Sequence, residues 1–432
     1  MTDVASRPHV DPAGTDQDWE FPKIISVDDH VVEPPHVWQD RLPERFKDQG
    51  PRIVYAPKGE MKLVDGAWVE APGTGDEMAA WWHYEDHRYQ IKEMIACAGT
   101  PPEEVTMQGV TYEDIRPGCF EPKARLEDMD ANHVEASLCF PNYPRFCGQL
   151  FAERKDRELS QLCVEAYNDW MVEEWCGDSG GRLLPLCLVP LWDADLAAAE
   201  IRRNAARGVN AVAWSELPAW LGLPSIHSGY WDPFFAACEE TGTVITMHIG
   251  SGTKTVRPSD DCPTIVTAAM ISANSAASMI DFLFSGVLVR YPRLQLMYAE
   301  SQIGWIPYYL ERADDNYTTH QWAQADFRLP EKPSFYYRRQ VSSCFFKDSA
   351  GMKLLDEVGV DNVLFETDYP HSDGTFPHSL ETAKRLFGHL EPEVITKLAR
   401  GNAIRLFDLP FPHQSSPGLV EPFERGSTRF AS

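Results

Sequence analysis

Cationic side chains are scarce in this chain. Lys and Arg number 39 against 65 Asp and Glu, giving a formal net charge of −26. Such a surface repels nucleic-acid phosphates and anionic membranes, so partners of those two classes are not expected. The short motifs of several large enzyme groups are also absent: there is no P-loop, no GxGxxG after a strand, no GxSxG elbow and no HExxH. Nor is there a CxxC pair. The ten cysteines (Cys97, Cys119, Cys139, Cys147, Cys163, Cys176, Cys187, Cys238, Cys262 and Cys344) are dispersed, and the N-terminus MTDVASRP lacks the apolar core of a secretion signal. Reduced thiols and a cytoplasmic location are the expectation. Cys139, Cys187 and Cys344 sit in apolar runs and are expected to be core filler. One stretch, Thr267 to Val289, is apolar enough to suggest a membrane span. It carries Ser272, Asn274, Ser275, Ser278 and Asp281, and a buried helix is expected instead.

What the chain does have is alternation. Eight β-type segments are expected at Ile24–Asp28, Val134–Phe140, Leu183–Val189, Val209–Trp214, Thr243–His248, Leu294–Ala299, Val341–Phe346 and Asn362–Thr367. Helical patterns lie between most of them, such as Ala194–Ala206 and Trp231–Thr241, the latter stopped by Gly242. Strand–helix alternation argues an α/β fold with a parallel sheet, and eight units favour closure into a (β/α)8 TIM barrel. An open doubly wound sheet is the alternative, but no Gly-rich phosphate loop follows the first strand. Residues 1–20 suggest a disordered leader. Residues 410–432, with Pro410, Pro412, Pro417 and Pro422, suggest an extended arm. The barrel domain would then span 21–409. A long insertion after the first strand, about 34–118, carries Trp68, Trp81, Trp82, Tyr84 and Tyr89. It is too long for a structureless loop and is expected to form a cap or small subdomain. Its aromatics would either line a substrate pocket or pack the insertion's own core.

Asp28 and His30 are two apart on an extended chain, so their side chains leave on one face. His248 closes the apolar run from Thr243, and Asp368 follows the strand from Asn362. Each alone has an ordinary reading: a capped strand end, a hydrogen-bonded core histidine, a helix cap. In a parallel barrel, however, strand C-termini converge on one face, where these residues would surround one divalent cation. Their mixed nitrogen and oxygen donors suit Zn²⁺, and also Mn²⁺ or Fe²⁺. Glu300 ends the sixth strand. It is expected either to complete the coordination or to take a proton from a metal-bound water, unless it is only a salt-bridge or cap residue. His227, after strand four, and His371, three residues past Asp368, are candidates for proton transfer. Glu33 is a candidate to orient a ligand.

These residues lie in segments that resemble the amidohydrolase-related (amidohydrolase 2) family, which includes aminocarboxymuconate-semialdehyde decarboxylase and aromatic-acid decarboxylases. The segments are VDDHVVEPP from Val27, KARLEDMD from Lys123, GLPSIHSGYWDPF from Gly222, HIGS from His248, AESQIGWIP from Ala299, FETDYPHSD from Phe365 and GNAIRLF from Gly401. The resemblance runs over roughly residues 22–409. It implies a (β/α)8 barrel holding one divalent metal, usually zinc, on Asp28, His30, His248 and Asp368, and it suggests homodimers. The chain departs from the pattern at the sixth strand. The decarboxylases it resembles have a His there, and this chain has Glu300. An anionic Glu repels a substrate carboxylate unless its pKa is raised or a metal holds it. The expectation is therefore a metal-dependent hydrolase acting on a small amide, ester or lactone, with Glu300 as general base. Non-oxidative decarboxylation of an aromatic or unsaturated acid is the alternative, and a catalytically inactive binding barrel is a third reading.

Overall fold

The structure is a computed structural model that describes residues 19–412, apart from 65, 66, 72, 325 and 326. Most of the expected leader and arm thus lies outside the described residues. The eight expected barrel strands are all present: β1 (Ile24–Val31), β2 (Val134–Pro141), β3 (Leu183–Leu184 with Leu186–Cys187), β4 (Ala211–Trp214), β5 (Val244–His248), β6 (Leu296–Ala299), β7 (Val341–Phe345) and β8 (Val363–Phe365). They pair in parallel in chain order. Pro185 divides β3, because a proline has no N–H for the ladder. The circle closes between the last strand and the first: the Asp368 N–H donates to the Asp28 carbonyl at 2.9 Å, and the His30 N–H to the Tyr369 carbonyl at 2.6 Å.

Every residue of β1 is buried, as are all of β4 to β8. Strands covered on both faces carry continuous apolar runs, which is why these segments stand out in the sequence. The flanking helices start and stop where the sequence indicates. The Asp193 side chain caps Ala194–Ala205, and Gly242, at φ +75°, ends Asp232–Thr241. The expectation of one buried apolar helix needs correction. Thr264–Ala269 and Ser272–Phe284 are separate helices. Met279, Phe282 and Leu283 of the second lie in the core, whereas Ile265 of the first is 74% exposed. The combined stretch Thr264–Phe284 has the length and hydropathy of a membrane span, but its second half packs against the barrel.

The insertion is a small subdomain. Strands Arg52–Pro57, Met78–Tyr84 and His87–Gln90 form one antiparallel sheet, and Glu60–Val64 pairs with Ala67–Ala71. The Trp68 side chain lies outside the described ones, and Trp82 and Tyr84 are structural. Trp82 meets Trp38 edge-on and stacks on Tyr143 at 4.6 Å, and Tyr84 abuts Phe151. Two backbone bonds tie it to the catalytic face: Cys97 N–H to Pro370 O at 3.0 Å and Ser372 N–H to Met94 O at 3.1 Å. The insertion therefore borders the loop after β8, where His371 lies.

Candidate metal centre

β1 contains one extra residue relative to β2 between Ser26 and Asp29. Such a bulge re-aims side chains next to a site. Here it puts Asp29 on the same side as Ser26 and leaves Asp28 with His30. Asp29 accepts from Ser26 Oγ at 3.0 Å, Thr367 Oγ1 at 2.6 Å, Tyr369 N–H at 3.0 Å and Ser137 Oγ. It thereby ties β1, β2 and the end of β8 together. The Asp28 carboxylate accepts nothing: both its oxygens, and both of Asp368, are buried without a hydrogen-bond partner.

The expected ligands do converge. His30 Nε2 lies 3.1 Å from His248 Nε2 and 3.5 Å from both Asp28 Oδ1 and Asp368 Oδ1. His248 Nε2 is 3.5 Å from Asp28 Oδ2 and 3.3 Å from Glu300 Oε2. His248 Nδ1 faces the Ile249 carbonyl at 2.6 Å and donates there, which turns the Nε2 lone pair inward. Phe146 stacks on His248 at 4.0 Å and fixes its ring plane. Arg125, fully buried, donates to the His30 carbonyl at 2.5 Å and pins the backbone of that ligand.

The electrostatics describe a cavity that wants positive charge. Burial, then Glu366, Asp368 and Glu300, push the Asp28 carboxyl well above its ordinary range. Burial, and after it neighbouring carboxylates, raise Glu300 and Asp368 in the same way. Burial lowers His248 to about 3 and His371 to about 4, so both imidazoles are neutral, the form that binds a metal. Four orphaned carboxylate oxygens beside two inward imidazole nitrogens fit a divalent cation, which would satisfy them together.

The remaining candidates divide. Glu300 joins the cluster at the end of β6 on a left-handed backbone (φ +55°), as does Asp368 (φ +52°) after β8. Strained backbone of this kind collects at functional sites. The His371 ring stacks on His30 at 3.8 Å. Its Nδ1 is 3.0 Å from Asp368 Oδ1 and its Nε2 is 3.1 Å from Asn142 Oδ1. His227 does not join: its Nε2 pairs with Asp281 Oδ1 at 2.6 Å, with both side chains about half exposed. Its loop runs outward over the helix Ser272–Phe284, a course that the sequence does not record. Glu33 holds no ligand directly. It accepts the N–H groups of Asn142 and Tyr143, both at 2.9 Å, and so positions the Asn142 side chain that meets His371. Asp29, Arg125 and Glu366 were missed. Glu366 stands two residues before Asp368, a spacing that could have revealed it. Cys344 is more than core filler, since its thiol donates to Glu366.

A family model described as amidohydrolase matches residues 63–409. The chain belongs to the amidohydrolase family. Among curated proteins it is similar to the gamma-resorcylate decarboxylase of Rhizobium sp. (strain MTP-10005), 25% identical over 307 residues, covering 66% of this chain and 86% of that one. Two further curated relatives bear the same name. Among solved structures, an amidohydrolase from Mycobacterium avium subsp. paratuberculosis K-10 superposes with a TM-score of 0.65 at 22% identity, over 89% of this chain and 99% of that one. The 5-carboxyvanillate decarboxylase of Novosphingobium aromaticivorans DSM 12444, complexed with manganese, gives 0.54 at 18% identity, over 66% and 79%. The shared fold is the (β/α)8 barrel. The curated relatives correct the expectation of a hydrolase, since all three are named gamma-resorcylate decarboxylases. Reading Glu300 as a general base was the weak step: one carboxyl group can take a proton from water or deliver one to carbon, and residue type does not choose between them.

Proposed function

We propose that this amidohydrolase-family protein is a metal-dependent, non-oxidative decarboxylase of a small aryl carboxylic acid bearing a neighbouring hydroxyl. One observation carries the reading: the three curated relatives are all gamma-resorcylate decarboxylases, and each match covers 66% of this chain. Support comes from the orphaned carboxylates beside His30 and His248.

Asp28, His30, His248 and Asp368 would hold the ion, with Glu300 adjacent. The donor set takes zinc or manganese, and the manganese in the carboxyvanillate enzyme favours the latter. When bound, the ion supplies a Lewis acid for the substrate's carboxylate and the oxygen beside it. The reaction breaks the bond from ring carbon to carboxylate, releases CO2 and places a proton on the vacated carbon. Glu300 supplies that proton. Its side chain is 17% exposed, so it faces both the cluster and the mouth of the barrel and is reprotonated from solvent. His371, held between Asp368 and Asn142, walls the site with a neutral ring. Phe146 and Phe140, packed on His248, keep bulk water away from it.

The test is a panel of hydroxybenzoates in D2O with metal-loaded protein. The expected products are CO2 and an arene carrying one deuterium at the vacated carbon. Glu300→Gln should lower kcat by roughly 10²–10⁴-fold while metal content stays unchanged. No CO2 release from any member of the panel would overturn the reading. A homodimer and a cytoplasmic location belong to the same proposal, and light scattering and fractionation check them.

A further inference from the structure

The insertion carries a cluster of its own, apart from the metal centre. In its sheet of Arg52–Pro57, Met78–Tyr84 and His87–Gln90, Arg52 pairs with His83, and His83 with Arg88. Residues directly opposite on antiparallel strands share a face, so these three basic side chains form one row across three strands. Trp81, two residues from His83, belongs to the same face. Trp82 and Tyr84 take the other face, against Trp38, Tyr143 and Phe151. The row is therefore turned away from those packing contacts.

Like charges placed side by side on a sheet repel, and the acids of the adjoining turn are engaged elsewhere. Glu85 accepts the N–H groups of Lys155 and Asp156, and Asp86 pairs with Arg154 and Lys155. Among the described residues, neither Arg52 nor Arg88 has a carboxylate partner; Arg88 Nη1 donates to the Glu85 and His87 carbonyls at 2.9 and 2.7 Å. Two donors are left over inside. Arg52 Nη1 and Trp81 Nε1 are both buried without a hydrogen-bond partner, and Trp81 as a whole is only 9% exposed. An unsatisfied buried donor is costly, and a buried indole N–H usually finds an acceptor. Burial, then Arg88 and Arg52, hold the His83 imidazole below its ordinary range, as a locally positive field requires. We propose that Arg52, Trp81, His83 and Arg88 form a binding site for a small oxyanion, a phosphate or a carboxylate. Guanidinium groups match the oxygens of either anion, and the indole N–H adds a donor that carries no charge. The anion would offset the row and satisfy both orphaned donors together.

The site depends neither on the metal centre nor on the decarboxylase reading, and its test involves no turnover. Full-length protein, isotope-labelled at its tryptophan indole nitrogens, is titrated with inorganic phosphate and, separately, with benzoate, at constant ionic strength. The indole resonance missing from Trp81→Phe should shift and saturate with a Kd of about 1 mM or tighter. A shift with phosphate alone assigns a tetrahedral oxyanion, and a shift with benzoate a carboxylate; both support the site. Arg52→Gln should weaken the binding by about tenfold or more. A Trp81 resonance that neither anion moves, or that chloride moves equally, overturns the proposal, even where an anion binds at the metal centre. Unchanged affinity in Arg52→Gln overturns it as well. Should Trp81→Phe fail to fold, loss of the same indole shift in Arg52→Gln carries the test.

Discussion

Asp28 and Asp29 are neighbours on one strand, and both are fully buried. They serve two different regions of the barrel. Asp29 lies in the seam between β1, β2 and the end of β8, where it satisfies four donors. The Asp28 carboxylate faces the histidines and accepts no hydrogen bond. Burial raises the pKa of both, but the Ser137 and Thr367 hydroxyls and the Tyr369 N–H pull Asp29 back down, as does Arg125. The comparison separates a carboxylate that holds the fold from one kept for a ligand. What distinguishes them is the supply of donors, not depth.

The sharpest way to break this comparison is to truncate each in turn. Asp29→Ala strands three hydroxyls and an N–H in the interior, and should cost about 3–5 kcal/mol in urea unfolding. Asp28→Ala removes repulsion, so the metal-free protein should be as stable as wild type or firmer by about 1–2 kcal/mol. It should nevertheless lose its metal by mass spectrometry. Equal destabilisation of the two variants would show that the contrast is false.

A smaller effect is expected at Glu33, whose carboxyl burial raises from 4.5 to about 7. A raised folded-state pKa gives stability that is complete below the unfolded value and is lost as pH climbs through the folded one. In metal-free protein, the stability of wild type relative to Glu33→Gln should therefore fall between pH 4.5 and 7. A flat difference across that range would remove Glu33 from the ionisable groups coupled to folding. The smallest effect belongs to His227→Ala. Loss of a half-exposed ion pair should change stability by less than about 0.5 kcal/mol and leave turnover intact. A large fall in turnover would return His227 to the site.

The barrel was legible because its strands are buried on both faces and so appear as short apolar runs between helical patterns. Four ligand candidates were legible because each ends such a run. The roles of Asp29, Arg125 and Glu366 were not. The β1 bulge that separates Asp29 from Asp28 leaves no mark in composition, and Arg125 meets His30 across 95 positions of sequence. Glu366 did carry a signal, the i, i+2 spacing to Asp368, the same spacing that links Asp28 to His30. The misplacement of His227 has the same origin as these omissions: a loop's direction depends on the surface it packs against. The reaction type was the least legible, because it depends on where a proton goes and not on which residue holds it.

The bond from the Asp368 N–H to the Asp28 carbonyl joins the first strand of the barrel to the last. During synthesis, Asp28 and His30 wait for more than three-quarters of the chain before Asp368 emerges. Loading of the proposed ion would therefore be a late event, because a ribosome-bound chain that ends within β7 lacks Asp368. The ion would act as a clasp on the finished ring, resisting the parting of its two ends.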